Sequence, residues 1–67
     1  MNSSWLKGKW NELKGKAKEQ WGELTDDELD RIGGQRDQLV GLIQQRYGKM
    51  KDEVERELTE WEKKNGL

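Results

Sequence analysis

The only hydroxyls that could serve as nucleophiles in this 67-residue chain are Ser3, Ser4, Thr25, Tyr47 and Thr59, and it contains neither cysteine nor histidine. A hydroxyl attacks only when a neighbouring base takes its proton, and imidazole, the usual base near neutral pH, is missing. Thiolate and imidazole metal sites are excluded for the same reason. Paired carboxylates are the remaining route to acid and base chemistry. Here, however, the acids fall on exposed helix faces, and so short a chain cannot wall off the dry cleft that would raise a carboxyl pKa. Asp26, Asp27, Glu28 and Asp30 suggest calcium by composition alone, because the D-x-[DN]-x-[DN]-G loop with a glutamate at position twelve is absent. The segment from Gly8 to Gly15 never completes the G-x-x-x-x-G-K-[ST] spacing of a phosphate loop. The expectation is a non-enzyme with no cofactor and no metal.

Basic residues interleaved with aromatics give a second kind of chemistry. Lys7, Lys9, Lys14, Lys16 and Lys18 accompany Trp5, Trp10 and Trp21, a combination that can neutralise phosphates or hold single strands. Lys7, Lys14 and Lys18 share one flank and are the candidate nucleic-acid contacts. A solvated face is the preferred reading, since Trp10 and Trp21 belong to an apolar stripe, the lysines divide between both flanks, and the segment has no arginine. The same segment has the look of an interfacial membrane helix, but its net charge of +3 over residues 1–22 is modest for that role. Trp5 lies roughly opposite the stripe and is the candidate exposed contact.

Helices must position all of these groups. Leu6, Trp10, Leu13, Ala17, Trp21 and Leu24 recur at steps of 4, 3, 4, 4 and 3, which predicts a helix over about 5–20, capped by Ser3 or Ser4 and ended by Gly22 in the left-handed conformation. Gly8, Gly15 and Gly22 fall on its wet face, where each interior glycine costs about 1 kcal/mol relative to alanine. Thr25-Asp26-Asp27-Glu28 is a capping box for a short helix over about 26–32, with Leu29 and Ile32 inward and Gly33-Gly34 as the stop. A third helix over about 35–47 turns Leu39, Leu42, Ile43 and Tyr47 inward and ends at Gly48. A fourth over about 50–64 presents Met50, Val54, Leu58 and Trp61 and stops at Asn65-Gly66.

The stripe Leu39, Ile43, Tyr47, Met50, Val54, Leu58, Trp61 runs in register through Gly48, so one long helix that dimerises is the competing architecture. Four helices in a monomer are preferred, because the glycine follows a complete apolar face and short connections favour close packing. The predicted core joins Trp10, Trp21 and Trp61 with Leu6, Leu13, Leu39, Ile43, Val54 and Leu58, and leaves Trp5 the most exposed tryptophan.

Composition bounds what this core can do. Of the chain, 30% is hydrophobic and 40% charged, with 8 glycines and no proline. A single core of this size supplies about 3–5 kcal/mol. Thirteen basic and 14 acidic residues give a net charge of −1, distributed as a basic start, a −4 stretch over residues 23–33 and a balanced remainder. No run is long and apolar enough for a transmembrane span or signal peptide, so the expected compartment is the cytoplasm.

The chain resembles the CsbD-like family of small bacterial general-stress proteins. The residues that carry the resemblance are Gly8-Lys9-Trp10, Lys14-Gly15-Lys16-Ala17-Lys18, Gln20-Trp21-Gly22, Leu24-Thr25-Asp26-Asp27, Gly34, Arg36-Asp37-Gln38-Leu39-Val40-Gly41, Gln44, Arg46-Tyr47-Gly48 and Trp61. It extends over about Trp5 to Lys64. It implies one domain over residues 1–67, all-α, with four helices in two crossed helical hairpins similar to the SAM-domain-like arrangement. It also implies a cytoplasmic protein induced in general stress or stationary phase, and it brings no catalytic or ligand residues with it. The composition is similar to that of hydrophilins and late-embryogenesis-type proteins, with a mean hydropathy of −1.31. A cysteine-free, highly charged chain of this kind stays dissolved when water is scarce. The function expected is therefore a stress-response protein acting by abundance or weak macromolecular contacts, with nucleic-acid or ribosome binding through the basic first helix as the alternative.

Overall fold

Four amphipathic segments, each too short to be stable alone, bury their apolar stripes against one another. The computed structural model describes residues 7–67, in which α1 spans Trp10–Gln20, α2 Asp26–Ile32, α3 Arg36–Tyr47 and α4 Lys51–Lys64. Consecutive helices pack together, α1 on α2, α2 on α3 and, most extensively, α3 on α4. The described residues contain no strand. Ser3, Ser4, Trp5 and Leu6 lie outside the described residues, and with them the first cap, one core position and the exposed-contact candidate.

Trp10, Leu13, Ala17, Trp21 and Leu24 of the first stripe meet Leu29, Ile32, Leu39, Ile43, Val54, Leu58 and Trp61 in one buried cluster. The three described tryptophans are all buried, as their stripe positions require. Trp10 donates its indole N–H to the Leu29 carbonyl at 2.8 Å, a buried bond that ties α1 to α2. Trp21 and Trp61 meet at a ring-centroid distance of 5.5 Å and an interplanar angle of 57°, within the tilted geometry that aromatic pairs favour.

The helix ends follow local chemistry, with two departures from the sequence reading. The Thr25 hydroxyl accepts from the Glu28 amide while the Glu28 carboxylate accepts from the Thr25 amide, completing the capping box. Gly33 ends α2 and Gly48 ends α3, both left-handed at φ 58° and 65°. The break at Gly48 makes α3 and α4 separate helices. After α4, the Gly66 amide reaches the Lys63 carbonyl and the Leu67 amide the Glu62 carbonyl, the paired bonds of a Schellman close.

The first departure is at Lys9, whose backbone (φ −113°, ψ 10°) interrupts the helix predicted over 5–20. Gly34 supplies the reason. It is buried at φ 81°, and a Cβ there would lie 2.8 Å from the Trp10 Cβ and 3.0 Å from the Lys7 Cα, so the incoming chain bends across a bare backbone. The second concerns Gly22, which does not adopt the left-handed conformation. Instead α1 ends at Trp21 (φ −122°, ψ 79°), whose carbonyl accepts from the Leu24 amide while Lys18 caps the Leu24 carbonyl at 2.9 Å. That turn carries Trp21 into the core without a left-handed residue.

Two side chains are also placed differently from the wheel. Met50, predicted inward, is 75% exposed, because it is the N-cap of α4 and not part of a continuous helix. Val40 is buried in addition to Leu39 and Ile43, while Leu42 and Tyr47 pack only partly against the core.

Candidate functional site

The basic flank of α1 faces the acidic start of α2. Lys14 Nζ lies 2.6 Å from Asp30 Oδ1, and Lys18 Nζ lies 3.9 Å from Asp26 Oδ1. The hydrogen bond and charge of Asp30 raise the Lys14 pKa above its usual value. Thus two of the three lysines read as nucleic-acid contacts are engaged inside the molecule, with the −4 stretch as their counter-charge. Lys7 is exposed and lies beside Gly34.

An ionic cluster with no sequence-level prediction fastens α3 to α4. Arg36, at the first position of α3, holds Glu55 at 2.5 Å through Nη1, Glu62 at 3.2 Å through Nε, and the Thr59 hydroxyl at 3.3 Å through Nη2. Glu62 is the one buried charged residue among those described, at 3% exposure. Partial burial works against the Arg36 guanidinium, yet its hydrogen bonds to Glu55 and Glu62 outweigh that effect and raise its pKa. Removing one member of a buried ion pair costs more than the pair itself adds to stability, because it strands the other charge away from water.

A shallow depression of about 800 Å³ lies between the end of α1 and α4, lined by Gln20, Lys49, Glu57, Glu60, Trp61, Lys63 and Lys64. On its wall Glu57 accepts from Lys49 at 2.5 Å and from the Trp21 indole at 3.4 Å. The bond from Lys49 holds the Glu57 carboxyl below its usual range, with burial opposing it. The depression is open to water, and one of its two lining carboxylates, Glu57, is already paired with Lys49. No group of three or more metal-ligating side chains occurs among the described residues. No described helix is long and apolar enough to cross a membrane.

The chain matches the CsbD-like family model over residues 6–56. It belongs to the CsbD-like family. It is 55% identical over 65 residues to UPF0337 protein YjbJ of Escherichia coli (strain K12), covering 97% of this chain and 94% of that protein. It is 58% identical over 62 residues to a UPF0337 protein of Pectobacterium atrosepticum, covering 92% and 90%, and 54% identical over 65 residues to a UPF0337 protein of Bordetella pertussis, covering 97% and 98%. No solved structure matches the chain.

The CsbD-like motif residues now have physical roles. Gly34 permits the close crossing of the chain before α1, Gly48 makes the turn into α4, and Arg36 clamps α4. Tyr47 accepts a hydrogen bond from the Glu23 amide at 3.1 Å, joining the α1–α2 connection to the end of α3. Arg46 pairs with Glu28, so the capping glutamate of α2 also contacts α3. These are positions that assemble the fold. Glu62 escaped the sequence reading because its signal, a charge adjacent to Trp61 on the buried side of α4, is the same as that of the exposed acids around it.

Proposed function

We propose that this CsbD-like protein is a non-enzymatic general-stress protein of the cytoplasm, a single monomeric domain that acts by abundance and weak contacts. The observation that carries the reading is how completely the reactive groups are used in folding. Among the described residues no buried side-chain nitrogen or oxygen lacks a hydrogen-bond partner. The buried carboxylate of Glu62 is bound to Arg36, and Thr25 and Glu28 satisfy each other. A catalytic site needs the reverse, a polar group held away from water and free to react with substrate. What remains outward is a shell made mostly of the charged residues that form 40% of the sequence, which resists aggregation as water activity falls.

The test is fitness of a deletion strain under osmotic shock, desiccation and prolonged stationary phase, complemented by wild-type protein. Reduced survival restored in proportion to expression level is expected. No defect in any condition, or turnover of a substrate that one substitution abolishes, would overturn the reading. So would a nucleic-acid complex whose log affinity falls against log salt with a slope near −2 to −3, the signature of about three neutralised phosphates, provided it is lost when Lys7, Lys14 and Lys18 become glutamine.

A further inference from the structure

Gly48 interrupts an apolar stripe that is otherwise continuous. Leu39, Ile43 and Tyr47 before it and Met50, Val54 and Leu58 after it keep one helical register, an eleven-residue repeat close to that of a straight helix. The turn that divides them comprises only Gly48, Lys49 and Met50. Gly48 holds its left-handed conformation at φ 65°, and glycine populates negative φ about as readily, so the residue itself sets no barrier to a helical backbone there. Met50 is the exposed large apolar residue of the described chain, and it lies in the stripe.

We propose that α3 and α4 open about Gly48 into one continuous helix, and that two such chains exchange α4 to form a symmetric dimer. This goes beyond the function proposed above, naming a second copy of the chain as a partner. In the exchanged form every α3–α4 contact can be remade between copies, including the pairs of Arg36 with Glu55 and Glu62. The two states then differ mainly at the hinge, which is the condition for domain swapping. At the two-fold axis the stripe positions of the opened hinge, Tyr47 and Met50, meet their counterparts, so the exposed Met50 becomes covered. The Lys49–Glu57 bond resists opening, since the two residues lie eight apart and stand about 12 Å from each other along one helix. Concentration of the cell contents, as on water loss, favours the dimer by mass action.

Gly48→Ala disfavours the closed turn by about tenfold in each chain and hence the monomer by about a hundredfold per dimer. Met50→Lys removes no core contact of the monomer, because that side chain is exposed, but sets two ammonium groups together at the axis of the dimer. Sedimentation equilibrium from micromolar to millimolar protein should show Gly48→Ala dimerising at about a hundredfold lower concentration than wild type, with Met50→Lys in the same chain restoring the monomer. Isotope-filtered NOEs in a mixed labelled and unlabelled dimer should connect Ile43 of one copy with Leu58 of the other. A folded Gly48→Ala protein that stays monomeric at millimolar concentration, a dimer indifferent to Met50→Lys, or NOEs confined within one chain would overturn the proposal. If Gly48→Ala does not fold, wild type refolded at millimolar concentration decides it: a dimer fraction abolished by Met50→Lys supports exchange, and its absence refutes it.

Discussion

Replacing Gly34 with alanine tests the closest approach of another chain segment to a described glycine. Two effects add. Alanine in the left-handed region at φ 81° costs about 1–2 kcal/mol. Its Cβ would also sit 2.8 Å from the Trp10 Cβ and 3.0 Å from the Lys7 Cα, so α1 must shift bodily, and overpacking of this kind costs about 1–3 kcal/mol. The sum of about 2–5 kcal/mol is as large as the stability a core of this size supplies. Moving Trp10 further weakens its buried bond to the Leu29 carbonyl. The assay is urea unfolding followed by tryptophan fluorescence and helical circular dichroism. Gly41→Ala is the control, because Gly41 is exposed within α3 and its Cβ would meet nothing within 4 Å; it should stabilise the protein by up to about 1 kcal/mol. Gly34→Ala should be largely unfolded in buffer. A Gly34→Ala protein within about 1 kcal/mol of wild type would refute the reasoning.

Three further outcomes follow from the ionic and aromatic contacts. Arg36→Met leaves Glu62 buried without its cation and should cost about 3–5 kcal/mol, whereas Glu55→Gln, at the wet end of the cluster, should cost at most about 1 kcal/mol in the same denaturant assay. Because Glu57 titrates below its ordinary value of 4.5 in the folded protein, its contribution is complete above 4.5, declines below it and is lost once the pH has fallen through the lower folded-state pKa. Glu57→Gln should therefore flatten part of the loss of melting temperature that sets in below pH 4.5, with no change in slope above it, and an unchanged acid profile would contradict the Lys49 pairing. Trp61→Ala should cost about 3–5 kcal/mol and unfold the chain, read from the loss of its helical circular dichroism.

Helix existence and the core were legible in the sequence because each depends on local repetition. The steps between Trp10 and Leu24 and between Val54 and Trp61 name one face of a helix wherever it packs, and the Thr25–Glu28 box is complete within four residues. What was not legible depends on pairs distant in sequence. The break at Lys9 arises from Gly34, and the inward turn of Glu62 from Arg36, 26 residues away. Gly22 and Gly48 look alike as helix stops, yet only Gly48 takes the left-handed conformation, because Lys18 and Leu24 close the end of α1 in another way. The lysine candidates illustrate the same limit. Their shared flank followed from the wheel, but the acids that receive Lys14 and Lys18 were set by how α2 folds back.

Crosslinking with mass spectrometry in stressed cells, at native expression level, tests most directly whether the protein works through many weak contacts. Crosslinks are expected from the exposed lysines to numerous abundant macromolecules, each at low occupancy and none surviving a salt wash before crosslinking. A single partner captured near stoichiometrically and retained through that wash would contradict that expectation.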